Sequence, residues 1–201
     1  MRPYEVTKRV VDIVGALAGL IAGAPVLLLA ALAVKLDSSG PVFFRQVRLG
    51  RDGRPFTMLK LRSMTVDAPL RQAELASGNH MDGPVFKIRS DPRATRVGRW
   101  LRKASLDELP QLWQVLCGDM SLVGPRPPVP EEVARYEPWQ RERLAVKPGL
   151  TCTWQVSGRS DIPFDQWVQM DIDYVRHRSL ALDLKLLLLT IPAVLTGRGA
   201  Y

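Results

Sequence analysis

Residues Ile13–Val34, which read IVGALAGLIAGAPVLLLAALAV, form an apolar run of 22 positions without a charged side chain. That length lies within the range of a membrane-spanning helix. A cleaved signal peptide is disfavoured, although Ala31–Ala33 resembles a cleavage site, because its apolar core would be only about 7–15 residues long. The fold therefore depends on how this segment meets a membrane.

Two membrane paths remain for this run. A simple span would place a basic flank on each side, since Lys8 precedes the run and Lys35 follows it, whereas basic flanks prefer the cytoplasmic side. A re-entrant hairpin, broken at Pro25, would return both flanks to one side. Each half would measure about 15–18 Å and reach the middle of a ~30 Å hydrocarbon core. The break is helped by three preceding glycines, Gly15, Gly19 and Gly23. The residues favour the hairpin and leave the span open.

Composition indicates an anionic partner. The 201 residues fit one domain, and the net charge is +8. Nucleic acid, an anionic membrane face and a phosphorylated substrate are the three candidates. A nucleic-acid binder gives no reason for the apolar run. Two cysteines and two histidines exclude a disulfide framework and a histidine-based metal centre.

The rest of the chain predicts short strands and helices. Val42–Arg48 and Phe56–Arg62 predict a β-hairpin around a Gly50–Gly53 turn, and Val85–Ile88 predicts a further short strand. Helices are predicted at Thr95–Lys103, Ser105–Cys117, Glu131–Val146 with an interruption at Pro138, and Leu180–Leu195. The last of these suits a helix that lies on the membrane or packs in the core. The predicted class is α+β, mainly helical and loop-rich, with residues 1–36 as the re-entrant membrane helix and 37–201 as one continuous cytosol-facing unit.

Two of the predicted helices carry charged side chains of interest. In Thr95–Lys103, the apolar residues Val97, Trp100 and Leu101 share a face, and the basic residues on the other faces suit either solvent or a phosphate or headgroup contact. Ser105 and Glu108 have the spacing of a capping box at the start of the next helix.

The best candidate for chemistry is Asp107-Glu108 together with Arg126. Adjacent carboxylates at a helix start are usually capping charges that favour the positive end of the helix dipole. An aspartate can, however, attack phosphorus, and a divalent ion can join it to phosphate oxygens. Arg126 lies between two prolines and loses little freedom when it grips an anion. Phosphate-loop and dinucleotide-binding fingerprints are absent from the sequence.

Several stretches together resemble the catalytic domain of the monotopic phosphoglycosyl transferases, also called bacterial sugar transferases. The resemblance covers nearly the whole chain. The matching stretches are Lys8–Asp12, Ser39–Gln46, Lys60–Met64, Ser105–Gln111, Gly118–Pro127, Lys147–Gly149, Trp154–Arg159 and Gly197–Tyr201.

The resemblance implies a two-step transfer. In this family the aspartate, here Asp107 of the Asp107-Glu108 dyad, attacks the sugar-bearing phosphate of a UDP-sugar and releases UMP. Undecaprenyl phosphate then takes the phospho-sugar from the enzyme. Mg²⁺ assists and is liganded by the same aspartate. The family also uses a re-entrant membrane helix broken at a proline, which implies a break at Ala24-Pro25 and a position on the cytoplasmic face of the bacterial inner membrane.

The resemblance also implies the substrate-binding residues. The Pro-Arg-Pro loop is associated with nucleotide binding in the family. The candidates in this sequence are Lys60, Arg62, Arg99, Arg102, Pro125, Arg126, Pro127 and Arg159. Which arginine contacts which phosphate is left open. The partners implied are a UDP-sugar, a polyprenyl phosphate and membrane lipids, without nucleic acid; the oligomeric state is left open, with a dimer as one candidate.

Two positions depart from the family pattern. Family members often carry serine before the helix-breaking proline, where this chain has Ala24, and glycine is common where Cys152 stands. The first departure affects how the break is capped, and the second affects a loop. Larger members carry a further N-terminal region, so the chain is either a short member or the core of a longer protein. The C-terminal motif is closer to members that start exopolysaccharide or O-antigen units with a hexose.

Overall fold

The computed structural model describes residues 3–197 and Gly199. Three residues of the predicted C-terminal motif, Arg198, Ala200 and Tyr201, lie outside the described residues. The α-helices are α1 Pro3–Asp37, α2 Arg96–Lys103, α3 Gln111–Cys117, α4 Pro130–Val133, α5 Thr153–Ser157, α6 Phe164–His177 and α7 Leu180–Thr196. The strands are β1 Phe43–Leu49, β2 Pro55–Leu61, β3 Ser121–Val123 and β4 Gly149–Thr151.

The predicted β-hairpin is confirmed. Strands β1 and β2 pair antiparallel, with Phe43 opposite Leu61 and Leu49 opposite Pro55. The turn between them is a short 3-10 helix, Arg51–Gly53. Met58 and Leu61 of β2 are buried, so the hairpin packs against the rest of the protein.

The N-terminal segment forms one helix. Helix α1 is continuous from Pro3 to Asp37 and passes through Ala24 and Pro25. The prediction of two separate helical halves is corrected to this single helix. A proline removes only one helix hydrogen bond, and apolar residues of α1 before and after Pro25 pack against other elements. The re-entrant path stays a prediction.

Glycines in α1 serve close packing rather than an interruption. A Cβ at Gly15 would lie 2.6 Å from Leu122 Cδ1, and one at Gly19 would lie 3.0 Å from Leu112 Cδ1. Ala16 is fully buried between them. These small residues form a stripe on which leucines of α3 and β3 pack directly.

Polar contacts fix the first half of α1. The buried Asp12 carboxylate accepts hydrogen bonds from Ser121 Oγ and Leu122 N, both at 2.9 Å. Arg9 donates to the carbonyl oxygens of Val115 and Leu116 at the end of α3, at 2.6 and 2.7 Å. These bonds satisfy carbonyls that a helix end otherwise leaves without partners.

The second half of α1 is attached to the same body. Ala30 and Val34 pack with Leu61 and Leu101 in one buried cluster. At the end of the helix, the Asp37 carboxylate accepts a hydrogen bond from Val97 N at 3.0 Å. Both ends of the apolar helix therefore contact one folded unit.

The C-terminal third completes the core. Trp154 of α5 stacks on Trp167 of α6, with ring centroids 4.4 Å apart. Strands β3 and β4 pair in parallel, with Ser121 opposite Gly149. The predicted helix Leu180–Leu195 is confirmed as α7, whereas α6 and the β3–β4 pair had not been predicted.

Three predicted elements are corrected. Val85–Ile88 is a loop, because the Asn79 side chain and the His80 backbone take the hydrogen bonds of its backbone. The predicted helix Ser105–Cys117 is divided into a 3-10 turn, Leu106–Glu108, and α3. The predicted helix Glu131–Val146 is reduced to α4 and a 3-10 helix, Trp139–Ala145.

Candidate active site

A cleft of about 1110 Å³ opens beside the Asp107-Glu108 pair. Its walls come from the β1–β2 hairpin, the 3-10 turn Leu106–Glu108, the loop Pro125–Pro128 and the region of Trp154 and Arg159. The loop Pro125–Pro128 is called the Pro-Arg-Pro loop below. The volume suits a ligand of the size of a small nucleotide or larger.

Asp107 is presented by a tight turn. Ser105, immediately before the turn, has a left-handed backbone with φ 55°, and its side chain makes no capping bond. The predicted capping box is therefore wrong, because the Glu108 side chain bonds elsewhere. Asp107 is 7% exposed and lines the cleft.

The Glu108 carboxylate is held by two cations. Its Oε1 atom accepts hydrogen bonds from Lys60 Nζ and Arg126 Nη2, both at 2.7 Å. Lys60 comes from β2 and Arg126 from the Pro-Arg-Pro loop. Glu108 thus joins three separate elements at the floor of the cleft.

The Asp107 carboxylate is less engaged. Lys60 Nζ lies 4.0 Å from Asp107 Oδ2, which is too far for a hydrogen bond. Within the described part of the chain, no hydrogen bond to this carboxylate is found. Of the two adjacent carboxylates, Asp107 is therefore the one that no hydrogen bond from a described residue holds, whereas Glu108 is fixed through its Oε1 atom.

The pKa values of the two carboxylates are shifted in opposite directions. Burial would raise the pKa of Glu108, but Arg126 and Lys60 outweigh it and hold that pKa well below its ordinary value. Burial raises the pKa of Asp107, with Lys60 opposing the shift and Glu108 adding to it. The cations therefore stabilise the charged form of Glu108, whereas burial destabilises the charged form of Asp107.

The predicted substrate-binding residues divide into two groups. Lys60, Arg102, Arg126, Pro127 and Arg159 all line the cleft. Pro125 and Arg99 are absent from its walls.

Arg62 and Arg99 have structural contacts. Arg62 lines the cleft but is buried, and it donates to Pro41 O, Ser38 Oγ and Ser38 O at 2.6–2.9 Å. Arg99 donates to Ala94 O at 3.1 Å. The guanidinium of Arg62 holds the loop after α1, and that of Arg99 holds the start of α2. Their assignment to substrate stays a prediction that these contacts do not favour.

Arg102 and Arg159 line the cleft, and each has one buried nitrogen donor that is not satisfied by the described part of the chain. Among the described residues, Arg102 Nη1 and Arg159 Nε have no hydrogen-bond partner. An unsatisfied buried donor costs about 1–3 kcal/mol, which a bound anion would recover. These two side chains are the best placed of the predicted arginines to receive phosphate oxygens.

Lys87 was missed by the sequence analysis. It lines the cleft beside Arg102 and Arg126. Burial, with Arg126 and Arg102 adding repulsion, lowers its pKa from 10.5 to about 7. The available signal was a single lysine in the apolar stretch Val85–Ile88, which sequence reasoning assigned to a strand.

A divalent cation fits this site when one carboxylate and the phosphates of a substrate hold it together. Within residues 3–197 and 199, no three His, Cys, Asp or Glu side chains cluster closely enough to hold a metal ion. Mg²⁺ is, however, commonly bound by one or two carboxylates together with substrate phosphates and water. The Asp107 carboxylate, with its free lone pairs, meets that requirement.

Comparison with known proteins gives a consistent result. The family model described as "Bacterial sugar transferase" matches residues 3–197. Galactosyl transferase CpsE of Streptococcus agalactiae is 45% identical over 198 residues, which are 98% of this chain and 44% of that protein. Exopolysaccharide production protein ExoY of Sinorhizobium fredii is 40% identical over 98% of this chain and 88% of its own.

A third relative carries a more explicit name. The UDP-glucose:undecaprenyl-phosphate glucose-1-phosphate transferase of Caulobacter vibrioides is 44% identical over 98% of this chain and 73% of its own length. The chain spans less than half of some relatives, such as CpsE, and most of others, such as ExoY. Each of the three matches extends over 98% of this chain.

Proposed function

Because the chain belongs to the bacterial sugar transferase family, we propose that it transfers a sugar 1-phosphate from a UDP-sugar to a polyprenyl phosphate. UMP is the second product, and undecaprenyl phosphate is the acceptor to test first. The observation that carries the proposal is the unequal pair of carboxylates. Glu108 is held by Lys60 and Arg126, whereas Asp107 is buried in the cleft with its oxygens available.

The first proposed step forms a covalent intermediate. An Asp107 carboxylate oxygen attacks the phosphorus that carries the sugar, and a new P–O bond forms. The bond from that phosphorus to the bridging oxygen breaks, and UMP leaves with the bridging oxygen and its electron pair. The enzyme then holds the phospho-sugar as an acyl phosphate.

The second proposed step restores the enzyme. An oxygen of the polyprenyl phosphate attacks the same phosphorus, and the acyl phosphate bond breaks. The electron pair returns to Asp107 as a carboxylate, and a polyprenyl diphosphate sugar is released. No net proton is consumed in the two steps, so the site needs no general base for the acceptor.

Cations in the cleft offset the repulsion between Asp107 and the phosphates. Arg102 and Arg159 offer buried unpaired donors, and Arg126 can share its planar group between Glu108 and a phosphate oxygen. Mg²⁺, when bound to Asp107 and phosphate oxygens, would neutralise further negative charge. In this proposal the positive charge of Lys60 reduces the repulsion between the Glu108 and Asp107 carboxylates.

A monotopic position on the cytoplasmic face of the inner membrane is part of the proposal. Among the described residues, α1 is the one helix long and apolar enough to cross a membrane. Its outer face is exposed, with Leu28 73% and Leu29 70% accessible. Yet both ends contact the same folded unit, through Asp12 and Asp37. A span would carry one end about 30 Å away across the bilayer, so these contacts support a path that keeps both flanks of α1 on one side of the membrane.

UMP release tests the proposal. Detergent-solubilised protein would be incubated with Mg²⁺ and a panel of UDP-sugars, with and without undecaprenyl phosphate. We expect UMP from one donor class, and a loss of at least about 10³-fold in the Asp107→Asn variant. The exposed Asp173→Asn variant is the matched control. Full activity in Asp107→Asn, or no UMP from any donor with folded protein, would overturn the proposal.

The same variant tests the electrostatic assignment. Because burial raises the pKa of Asp107, its ionised form costs stability above that pKa. Replacement by neutral asparagine removes this cost, so the Tm of Asp107→Asn at pH 7 should equal or exceed that of the wild type. A large fall in Tm would show that Asp107 is a structural charge.

A further inference from the structure

Four successive carbonyl groups of the Pro-Arg-Pro loop all accept hydrogen bonds from residues outside the loop. Pro125 O accepts from Gly149 N at 2.9 Å, and Pro128 O accepts from Leu49 N at 2.9 Å. The two carbonyls between them accept from arginine side chains. Loops normally direct many of their backbone groups to solvent, so complete attachment of a segment this short indicates a fixed position.

The first of these arginines is Arg143. It donates from Nη2 to Arg126 O at 3.0 Å. The rest of its guanidinium bonds to Asp171 at 3.0 Å and to Tyr136 Oη at 2.6 Å. Arg143 and Asp171 are each only 1% exposed, so this donor cannot move without leaving a buried charge unpaired.

The second is Arg48 in strand β1. It donates from Nη1 to Pro127 O at 2.9 Å. Its other nitrogens, Nε and Nη2, donate to Gln46 Oε1 at 3.1 and 2.8 Å. Gln46 therefore sets the direction of the Arg48 side chain, and the hairpin is fixed to the loop.

Arg126 is the side chain that this arrangement places. One of the two carbonyls held by arginines is its own, the other belongs to the next residue, Pro127, and the Arg126 Nη2 atom reaches Glu108 at 2.7 Å. We propose that Arg48 and Arg143 are positioning residues for the transfer reaction, which act on the reacting phosphates only through Arg126. This inference rests on the proposed function.

The expected kinetic effect follows from that role. A small displacement of a group that stabilises developing charge lowers turnover strongly, whereas substrate binding depends on several other cations. For Arg48→Met we expect kcat for UMP release to fall about 10–100-fold, with a change in KM of less than about threefold. Arg48→Lys keeps a donor for Pro127 O and should recover most of the activity.

Controls separate this role from loss of charge or of folding. Arg54→Met removes an exposed arginine of the same hairpin that is not part of the cleft wall and should leave kcat unchanged. Arg143→Met leaves Asp171 buried without its partner, so we expect a lower Tm. A loss of activity in this variant therefore does not separate a positioning role from a loss of folding. The half-buried Arg48 is the informative site, and its variants should keep the wild-type Tm within a few degrees.

A double-mutant cycle tests whether Arg48 acts through Arg126. If it does, Arg48→Met should reduce kcat/KM by less than about threefold in the Arg126→Met background. Equal effects in both backgrounds would show an independent contact of Arg48 and would overturn the inference. If the wild-type protein releases no UMP, the proposed function is contradicted. If Arg48→Met releases UMP as fast as Arg54→Met does, only the inference is contradicted.

Discussion

Glu108 is expected to act as a counter-charge for Lys60 and Arg126 rather than as a nucleophile. Its Oε1 atom receives both cations at 2.7 Å. In Glu108→Gln these cations lose their shared anion, so turnover should fall about 10–100-fold and the free energy of unfolding at pH 7 by about 1–3 kcal/mol. The surface variant Glu142→Gln is the matched control, because Glu142 pairs with the exposed Arg176 and with no other cation among the described residues.

The pH dependence of stability checks this role. The pKa of Glu108 is depressed, so its contribution is present above its ordinary value of 4.5 and is lost as the pH falls through the depressed pKa. The difference in unfolding free energy between wild type and Glu108→Gln should therefore shrink below about pH 4.5. A difference that stays constant down to pH 3 would contradict the assignment.

Lys87 should make anion binding depend on pH near neutrality. Its pKa of about 7 means that the free protein holds a mixture of charged and neutral lysine at pH 7. A bound phosphate favours the charged form, so UMP affinity should weaken above pH 7, at most about tenfold per pH unit for one proton.

Calorimetry between pH 6 and 8.5 measures this effect. Lys87→Arg should bind UMP without the weakening, since arginine stays charged. Titration of UMP itself affects both proteins equally and cancels in the comparison. Lys103→Met, which removes an exposed lysine outside the cleft wall, should behave as wild type. Identical pH profiles for wild type and Lys87→Arg would refute the role of Lys87.

Helix α2 carries Arg102 to the cleft because Gly98 packs directly on the backbone after β2. A Cβ at Gly98 would lie 1.9 Å from Ser63 O, so Gly98→Ala must move the helix. We expect a loss of about 1–3 kcal/mol in unfolding free energy together with reduced turnover. Gly23→Ala is the matched change, since its Cβ would meet Leu109 at 3.9 Å. Equal stability of the two variants would contradict this packing.

The sequence predicted those elements whose pattern is local. The hairpin is encoded by two strand-forming runs around a Gly50–Gly53 turn, and α7 by a long apolar run after Ser179. Helix α1 was predicted by its composition, whereas the packing role of Gly15 was not. That role depends on Leu122, which lies far along the chain.

The site was predicted less completely for the same reason. Asp107, Glu108 and Arg126 were identified, but the division of labour between the carboxylates depends on Lys60, which arrives from β2. The capping prediction for Ser105 failed because Glu108 finds stronger cationic partners than a backbone N–H. The hydrogen bonds from Arg48 and Arg143 to the Pro-Arg-Pro loop join residues far apart in the sequence, so no local spacing predicts them.

The whole molecule is arranged so that one long apolar helix lies on one folded unit. If α1 is re-entrant, positions before and after it must face the same side of the membrane. In a Cys117→Ser background, Thr7→Cys and Ser39→Cys should both react with an impermeant maleimide in inverted vesicles and neither in right-side-out vesicles. Reaction of the two positions from opposite sides would establish a span.

The central claim is that Asp107 takes the phospho-sugar from the donor before the acceptor is engaged. A rapid-quench measurement of UMP, with the active UDP-sugar, Mg²⁺ and no polyprenyl phosphate, tests it most directly. We predict a burst of roughly one UMP per active site, absent in Asp107→Asn, followed by continued turnover only after undecaprenyl phosphate is added. UMP that appears only when the acceptor is present would contradict a covalent intermediate on Asp107.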